Sequence, residues 1–232
     1  MGSPVRYAHV LVDFDRTLNN SDYVYEKNLS GFLGLSGETV LKHWEAVHRE
    51  VLAKHPPPRH EDLELHYQII LDRIAQAGRD PVKTDLRRRI RAAQEECWYA
   101  TELFPEAIPF LRDLKDAGYI LHLATGDYAK MKAASIERQA GRRLFTNTYD
   151  EETLGAGKGK RVYFDRIARR VGMSPGRMAV VGDSIPNDIA PGLEAGMAAI
   201  WIRRKEEKAR NGLQPTLVAK TLAETLPHFS PS

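Results

Sequence analysis

The stretch that most restricts how this chain folds is Val10-Leu11-Val12, followed at once by Asp13-Phe14-Asp15. Consecutive apolar residues, two of them β-branched, read as a strand buried on both faces, as in a parallel sheet covered by helices. The apolar run stops at Asp13, and Asp15 and Thr17 follow closely. A buried strand that opens into carboxylates sets them at the carboxyl end of a parallel sheet, where ligand sites form. Charge is costly away from water, which makes a metal or ligand beside these residues a reasonable expectation. The competing reading is a polar turn, in which Asp and Thr are ordinary cap and turn residues.

One long interruption follows. Residues 20–100 show no strand pattern and are predicted to be helical. Thr39–Leu52 carries apolar residues on one face of a 3.6-residue period, His55-Pro56-Pro57-Pro58 breaks it, and Glu61–Ala77 resumes it up to Gly78. Thr84–Ala100 continues as an arginine-rich helical run. From residue 101 strands and helices alternate. The strand candidates are Ile120–Ala124, Leu144–Thr146, Met178–Val181, Ala198–Ile202 and Leu217-Val218. This rhythm predicts an α/β fold: a Rossmann-like, mostly parallel, doubly wound sheet flanked by helices. Its domain would comprise residues 1–19 and 101–232, with 20–100 an inserted all-helical cap.

Composition excludes several classes. Lys and Arg number 34 against 31 Asp and Glu, a net charge of +3 and no polybasic surface. The basic clusters, Arg87/Arg88/Arg89/Arg91 and Arg203/Arg204/Lys205, read as solvated faces, so no nucleic-acid partner is expected. A single cysteine, Cys97, allows no disulfide framework and no multi-cysteine zinc site. No apolar run is long enough to span a bilayer, and nothing before the first acidic motif reads as a secretory signal. A cytoplasmic enzyme without a membrane partner, monomeric or homodimeric, is the expectation.

The strand-end loops carry the chemistry. They offer Asp13, Asp15 and Thr17, then Thr125, Gly126 and Asp127, then Lys158, then Asp183 and Asp188. Four of the carboxylates with no histidine or thiolate beside them form a hard oxygen set, suited to Mg²⁺ and not to zinc. The loop with Gly155, Gly157 and Gly159 holds both Lys158 and Lys160, and either could be an ordinary solvated lysine. Asp188 could simply cap the helix that begins beside it, and Asp127 could cap the helix from Tyr128 or reach a substrate. His9 and His122, each inside a strand, read as satisfied core or sheet-face residues.

Asp13-Phe14-Asp15-Arg16-Thr17-Leu18 resembles the first motif, DxDxT, of the haloacid dehalogenase-like superfamily. Thr125 at a strand end resembles its second motif, and Lys158 its third-motif lysine, although GKGK lacks the proline that commonly follows. Gly182-Asp183-Ser184-Ile185-Pro186-Asn187-Asp188 is similar to the fourth motif, GDSxxND. The first and fourth motifs, in this order and after strands, are specific; the other two are weak alone. The resemblance covers the sheet domain, and residues 20–100 match only as a helical cap between the first and second motifs.

The resemblance implies a Mg²⁺-dependent phosphatase acting on a small phosphorylated metabolite through an aspartyl-phosphate. Asp13 would be the nucleophile and Asp15 the general acid and base, with Lys158 as a second cation. Asp13, the carbonyl of Asp15, and Asp183 would hold the metal; Thr125, Gly126 and Lys158 would hold phosphate; Asp188 and Thr17 would orient these groups. Tyr23, Tyr25, Lys27, Asn28 and Asp127 are the candidates for substrate choice. Dehalogenases of this superfamily lack the carboxylate at the position of Asp15 and use no magnesium. The remaining alternatives are a sugar-phosphate mutase, which would return phosphate to carbon, and a non-catalytic scaffold that binds a phospho-ligand or protein. A scaffold would be marked by loss of Asp13, Asp15 or Asp183, and all three are present.

Overall fold

The computed structural model describes residues 7–54, 63–74, 81–99, 102–205 and 212–229. The expected breaks at His55–Pro58 and Gly78 lie outside the described residues. The chain divides into two compact units, one of Met1–Asn20 with Trp98–Ser232 and one of Ser21–Cys97.

Among its described residues, the first unit is built on six strands: β1 (His9–Val12), β2 (Ile120–Ala124), β3 (Phe145–Tyr149), β4 (Met178–Gly182), β5 (Ala198–Ile202) and β6 (Leu217–Ala219). Their order is β3-β2-β1-β4-β5-β6, and every neighbouring pair is parallel. The chain leaves β1 in one direction for β2 and β3, then crosses to β4 on the other side. The strand order therefore reverses between β1 and β4, whose ends are level at Val12 and Val181. In an open parallel sheet the crevice at such a reversal is where loops part and a ligand fits.

Side chains alternate across the sheet with the strand period of two. Val10, Val12, Leu121, Leu123 and Val181 pack on one face. Leu11, Ala124, Val180 and Trp201 pack on the other. Among the described residues, ten α-helices accompany the strands. Helices α1 (Ser21–Leu29), α2 (Gly37–Lys54), α3 (Leu63–Ile74) and α4 (Pro81–Trp98) come first, in the long interruption. The later ones are α5 (Ala107–Asp116), α6 (Ala129–Ala140), α7 (Glu151–Leu154), α8 (Arg161–Val171), α9 (Ala190–Glu194) and α10 (Leu226–Phe229). The first sheet face is covered by Phe110, Leu111 and Leu114 of α5 with Ala133, Ile136 and Ala140 of α6. The second is covered by Tyr163, Phe164 and Ile167 of α8. Against that face α9 lies so close that a Cβ at Gly192 would sit 2.5 Å from Val180 Cγ1.

Two elements differ from expectation. β3 extends to Tyr149, beyond the Leu144–Thr146 fragment read from the sequence. Its sequence, FTNTY, belongs to an edge strand, which needs no continuous apolar run. The helix expected over Asp188–Ala195 instead opens with a widened turn at Ile185–Ile189. There the N–H groups of Asp188 and Ile189 both donate to Ser184 O, at 2.8 and 3.1 Å.

The second unit has its own core, including Leu29, Phe32, Val40, Val47, Tyr67, Ile70, Leu86 and Ile90, with Trp44 packed against it. Cys97 is buried beside Val24 and Ala93. The arginine run of α4 is paired with acids: Arg88 and Arg89 reach Asp85, Arg91 reaches Glu95, and Arg87 reaches Glu64. Among the described residues, no helix is long and apolar enough to cross a membrane.

His9 and His122 meet across β1 and β2, with His9 Nδ1 3.0 Å from His122 Nε2 and the rings stacked. Burial lowers the pKa of both; for His122, burial and then the neighbouring His9 bring it down to about 4. The native pair thus binds fewer protons than the unfolded chain between pH 6.5 and 4, so its full stabilisation is present above pH 6.5 and fades on acidification. The expected loss for His122 is at most about 3 kcal/mol across that window. Urea midpoints at pH 7 and pH 4.5 measure it, and a His122→Phe variant should show a shallower decline.

Candidate functional site

Asp13 directly follows β1, and its N–H donates to Val181 O at 2.9 Å, which ties the first acidic residue to β4. Its carboxylate is buried and held from two sides. Lys158 Nζ donates to Oδ1, and Thr17 Oγ1 donates to Oδ2 at 2.8 Å. Lys158 is itself buried and pairs with Asp188 Oδ1 at 2.7 Å. Of the two lysines in the glycine-rich loop, the structure brings Lys158 into the site, and Lys160 stands at the start of α8 as an exposed N-cap residue. The Lys158 backbone is fixed by its N–H donating to Glu151 Oε1 at 2.8 Å.

Asp183 and Asp188 complete the cluster. Carboxylate oxygens of Asp13, Asp183 and Asp188 lie within 4.8 Å of one another. Burial raises the pKa of Asp183 well above the carboxylate range, and the charges of Asp13 and Asp188 push it further. Burial also raises that of Asp188, with Lys158 opposing and Asp13 reinforcing. Lys158 is driven the other way: burial disfavours its ammonium, but Asp13 and Asp188 outweigh burial and hold it charged. Three carboxylates converge on one lysine, so the site offers more acidic groups than Lys158 alone balances. That donor set fits a hard divalent cation such as Mg²⁺. Asp188 also accepts the Ser184 N–H at 3.1 Å, so it shapes the turn after β4 as well as facing Lys158. It fits only because residue 182 is glycine: a Cβ there would come within 2.3 Å of Asp188 Cγ.

The second strand-end loop supplies hydroxyl and backbone. Thr125 is buried, with its N–H bound to Tyr149 O at 3.0 Å, and Tyr163 Oη donates to the carbonyls of both residues. Gly126 follows, its carbonyl accepting the Glu151 N–H at 3.0 Å. Of the two readings of Asp127, helix cap or group reaching a substrate, the cap is not what the structure shows. Asp150, at the end of the neighbouring strand, accepts the Ala129 N–H at 3.1 Å instead, and Asp127 turns to Lys132 at 2.6 Å.

Lys132 is the site residue that sequence reading missed. It is buried on α6, with Nζ 3.0 Å from Asp15 Oδ2 and 3.2 Å from Thr125 Oγ1. Burial disfavours its charge, but Asp15 and Asp127 overcome this and hold its pKa above the ordinary lysine value. The available signal was its place on the buried stripe of α6, three residues after Ala129 and four before Ile136. Asp15 thus gives its carboxylate to Lys132 while Asp13 gives its own to Lys158 and Thr17. The loop that follows Asp15 is clamped by Arg204, which departs from the solvated face expected of its cluster. Its guanidinium donates to the carbonyls of Arg16 and Thr17 at 3.1 and 3.0 Å, pairs with Glu106 and lies 3.5 Å from the Phe104 ring centroid.

These loops line an open pocket of about 380 Å³ that includes Asp13, Asp15, Thr125, Asp127, Lys158, Asp183 and Asp188. Four other candidates lie in the second unit. Lys27 and Asn28 both reach Glu96, at 2.6 and 3.1 Å, and Tyr25 packs against that unit's core. Tyr23 is 48% exposed.

The chain matches a family model described as haloacid dehalogenase-like hydrolase over residues 7–196. It is 26% identical over 205 residues to the glyceraldehyde 3-phosphate phosphatase of Methanopyrus kandleri, spanning 84% of this chain and 83% of that protein. Its fold is similar to that of the HAD-hydrolase YfnB from Bacillus subtilis, solved bound to magnesium. That match has a TM-score of 0.75 at 17% identity and covers 97% of this chain and 99% of the other. The 2-haloacid dehalogenase of Pseudomonas syringae pv. Tomato is also similar, with a TM-score of 0.60 at 21% identity, over 96% and 97% of the two chains. With the motif residues gathered at one sheet edge and the match running through most of the chain, this protein belongs to the haloacid dehalogenase-like hydrolases.

Proposed function

We propose that this protein is a Mg²⁺-dependent phosphatase that hydrolyses a small phosphate monoester through an aspartyl-phosphate on Asp13. The observation that carries the reading is the pair of carboxylates two residues apart in one pocket, with different surroundings. Asp13 is buried and immobilised by Lys158 and Thr17, as suits a nucleophile, whereas the Asp15 side chain is 45% exposed, as suits a group that meets leaving alcohol and water. The dehalogenase likeness is one of fold alone, and a carboxylate at Asp15 speaks against that chemistry. Similarity to a glyceraldehyde 3-phosphate phosphatase supports a small phosphorylated substrate.

In this reading an Asp13 oxygen attacks phosphorus as the bond to the leaving oxygen breaks, and Asp15 gives that oxygen its proton. Asp15 then removes a proton from water as the water attacks the phosphorus of the aspartyl-phosphate. The Asp13–phosphorus linkage breaks and inorganic phosphate departs. Thr125, the Gly126 backbone and Lys158 would hold phosphoryl oxygens. Asp13, the Asp15 carbonyl and Asp183 would hold Mg²⁺, with Asp188 beside them, and the ion would supply positive charge against the phosphate. Asp188 and Thr17 orient Lys158 and Asp13. Tyr23, Tyr25, Lys27 and Asn28 of the helical unit and Asp127 are the substrate-choice candidates, with Lys27 and Asn28 also bound to Glu96.

Phosphate release from a panel of small monoesters, with Mg²⁺ and with EDTA, tests the reading. Release should require the metal, and Asp13→Asn should lower it by at least about 10³-fold. A folded, Mg²⁺-supplied protein that releases no phosphate from any ester would sink the assignment, and conversion to an isomeric phosphate ester would identify a mutase. Gly182→Ala should push Asp188 away from Lys158, lowering kcat by roughly 10-fold or more and weakening Mg²⁺ activation. Titration of activity against Mg²⁺ measures both.

A further inference from the structure

Lys132 occupies a position where a helix facing a sheet ordinarily places an apolar residue. Ala129, Ala133, Ile136 and Ala140 of the same helix are buried, and Lys132 is 2% exposed. Its stem follows that stripe, and its ammonium lies 4.7 Å from the Phe14 ring centroid. An ammonium has three N–H donors and no acceptor. Here three acceptors meet it: Asp127 Oδ1 at 2.6 Å, Asp15 Oδ2 at 3.0 Å and Thr125 Oγ1 at 3.2 Å. All three acceptors line the pocket, and they come from the loops after β1 and β2. A buried lysine is costly to desolvate, and a methionine would fill similar space without that cost, so packing alone does not account for it.

We propose that Lys132 is a positioning residue that fixes the Asp15 carboxylate for proton transfer to the leaving group, with Asp127 as its balancing counter-ion. This rests on the phosphatase reading of the same site. Asp15 is a short side chain on a loop, next to Arg16, whose backbone is left-handed at φ 59°. An acid must lie within hydrogen-bond reach of the oxygen it protonates, so the direction of its carboxylate matters. Lys132 supplies an anchor from a packed helix. The shorter contact goes to Asp127, so Asp127 shares the ammonium and Asp15 is oriented without being its sole counter-ion. The step served is the first one: the Asp15 proton passes to the leaving oxygen as that oxygen's bond to phosphorus breaks and the Asp13 bond forms.

Leaving-group dependence separates this role from a merely structural one. An alkoxide needs the proton in order to leave, whereas p-nitrophenolate is stable as an anion and leaves without it. Wild type and Lys132→Met would be compared on glycerol 3-phosphate, or the best alkyl ester found for the wild type, and on p-nitrophenyl phosphate, with folding checked by thermal melts. The expected result is a fall in kcat of at least about 100-fold on the alkyl ester, against less than about fivefold on the aryl ester. KM should stay within about threefold for both. Equal losses on the two esters, or a rise in KM without a change in the kcat ratio, would overturn the proposal. If Lys132→Met does not fold, Asp127→Asn at the pocket rim decides. An alkyl-to-aryl kcat ratio lowered fivefold or more supports the role, and an unchanged ratio removes it. A wild type inactive on every ester would instead remove the phosphatase reading itself, and this proposal with it.

Discussion

The ion pair between Asp13 and Lys158, closed by Asp188, governs how the rest of this site is assembled. A carboxylate with almost no solvent needs a cation at hydrogen-bond distance, and Lys158 provides it from a loop 145 residues later in the chain. Lys158 in turn is buried and has three N–H donors to satisfy, and Asp188 supplies a second acceptor from the turn after β4. Removing Lys158 would leave two buried carboxylates without their cation, a far larger penalty than the pair's net contribution. The surrounding features serve this arrangement: glycine at 182 gives Asp188 its room, Glu151 holds the Lys158 backbone, and Thr17 takes the second oxygen of Asp13.

The sheet makes that convergence possible. With β1 and β4 adjacent and level, the residues after them emerge side by side. With β2 on the other side of β1, Thr125 joins them. The same reversal in strand order that opens the crevice also brings two separate lysines into it, each matched to its own carboxylates. Lys158 neutralises the Asp13–Asp188 side, and Lys132 the Asp15–Asp127 side. Each of the two acidic functions thus has its own cation within hydrogen-bond reach. Arg204 keeps the loop after Asp15 in place by binding the carbonyls of Arg16 and Thr17 while it lies against the Phe104 ring.

The sheet of parallel strands, the helical interruption and the candidates Asp13, Asp15, Thr125, Asp183 and Asp188 were legible in the sequence, because each belongs to a local pattern. Apolar runs ending in acidic or hydroxyl residues mark buried strands entering polar loops, and a 3.6-residue period without strands marks helices. Edge strand β3 was read short because its polar residues carry no such run. Lys132 and Arg204 were not legible, and only the resemblance favoured Lys158 over Lys160. A lysine on a helix or in a glycine-rich loop is ordinarily solvated, and nothing nearby in the chain marks the exceptions.

What the sequence determined by itself was therefore the kind of fold and the kind of chemistry: a parallel α/β sheet with a hard-oxygen, acid-rich edge. Tertiary structure alone decided the pairing of charges. Which lysine faces which carboxylate, and that Asp150 and not Asp127 receives the Ala129 N–H at the start of α6, depends on strand order and on loops far apart in the chain. The physical reason is range. Hydrophobic periodicity is set over a few residues, whereas compensation of a buried charge is settled only by the neighbours that folding brings to it.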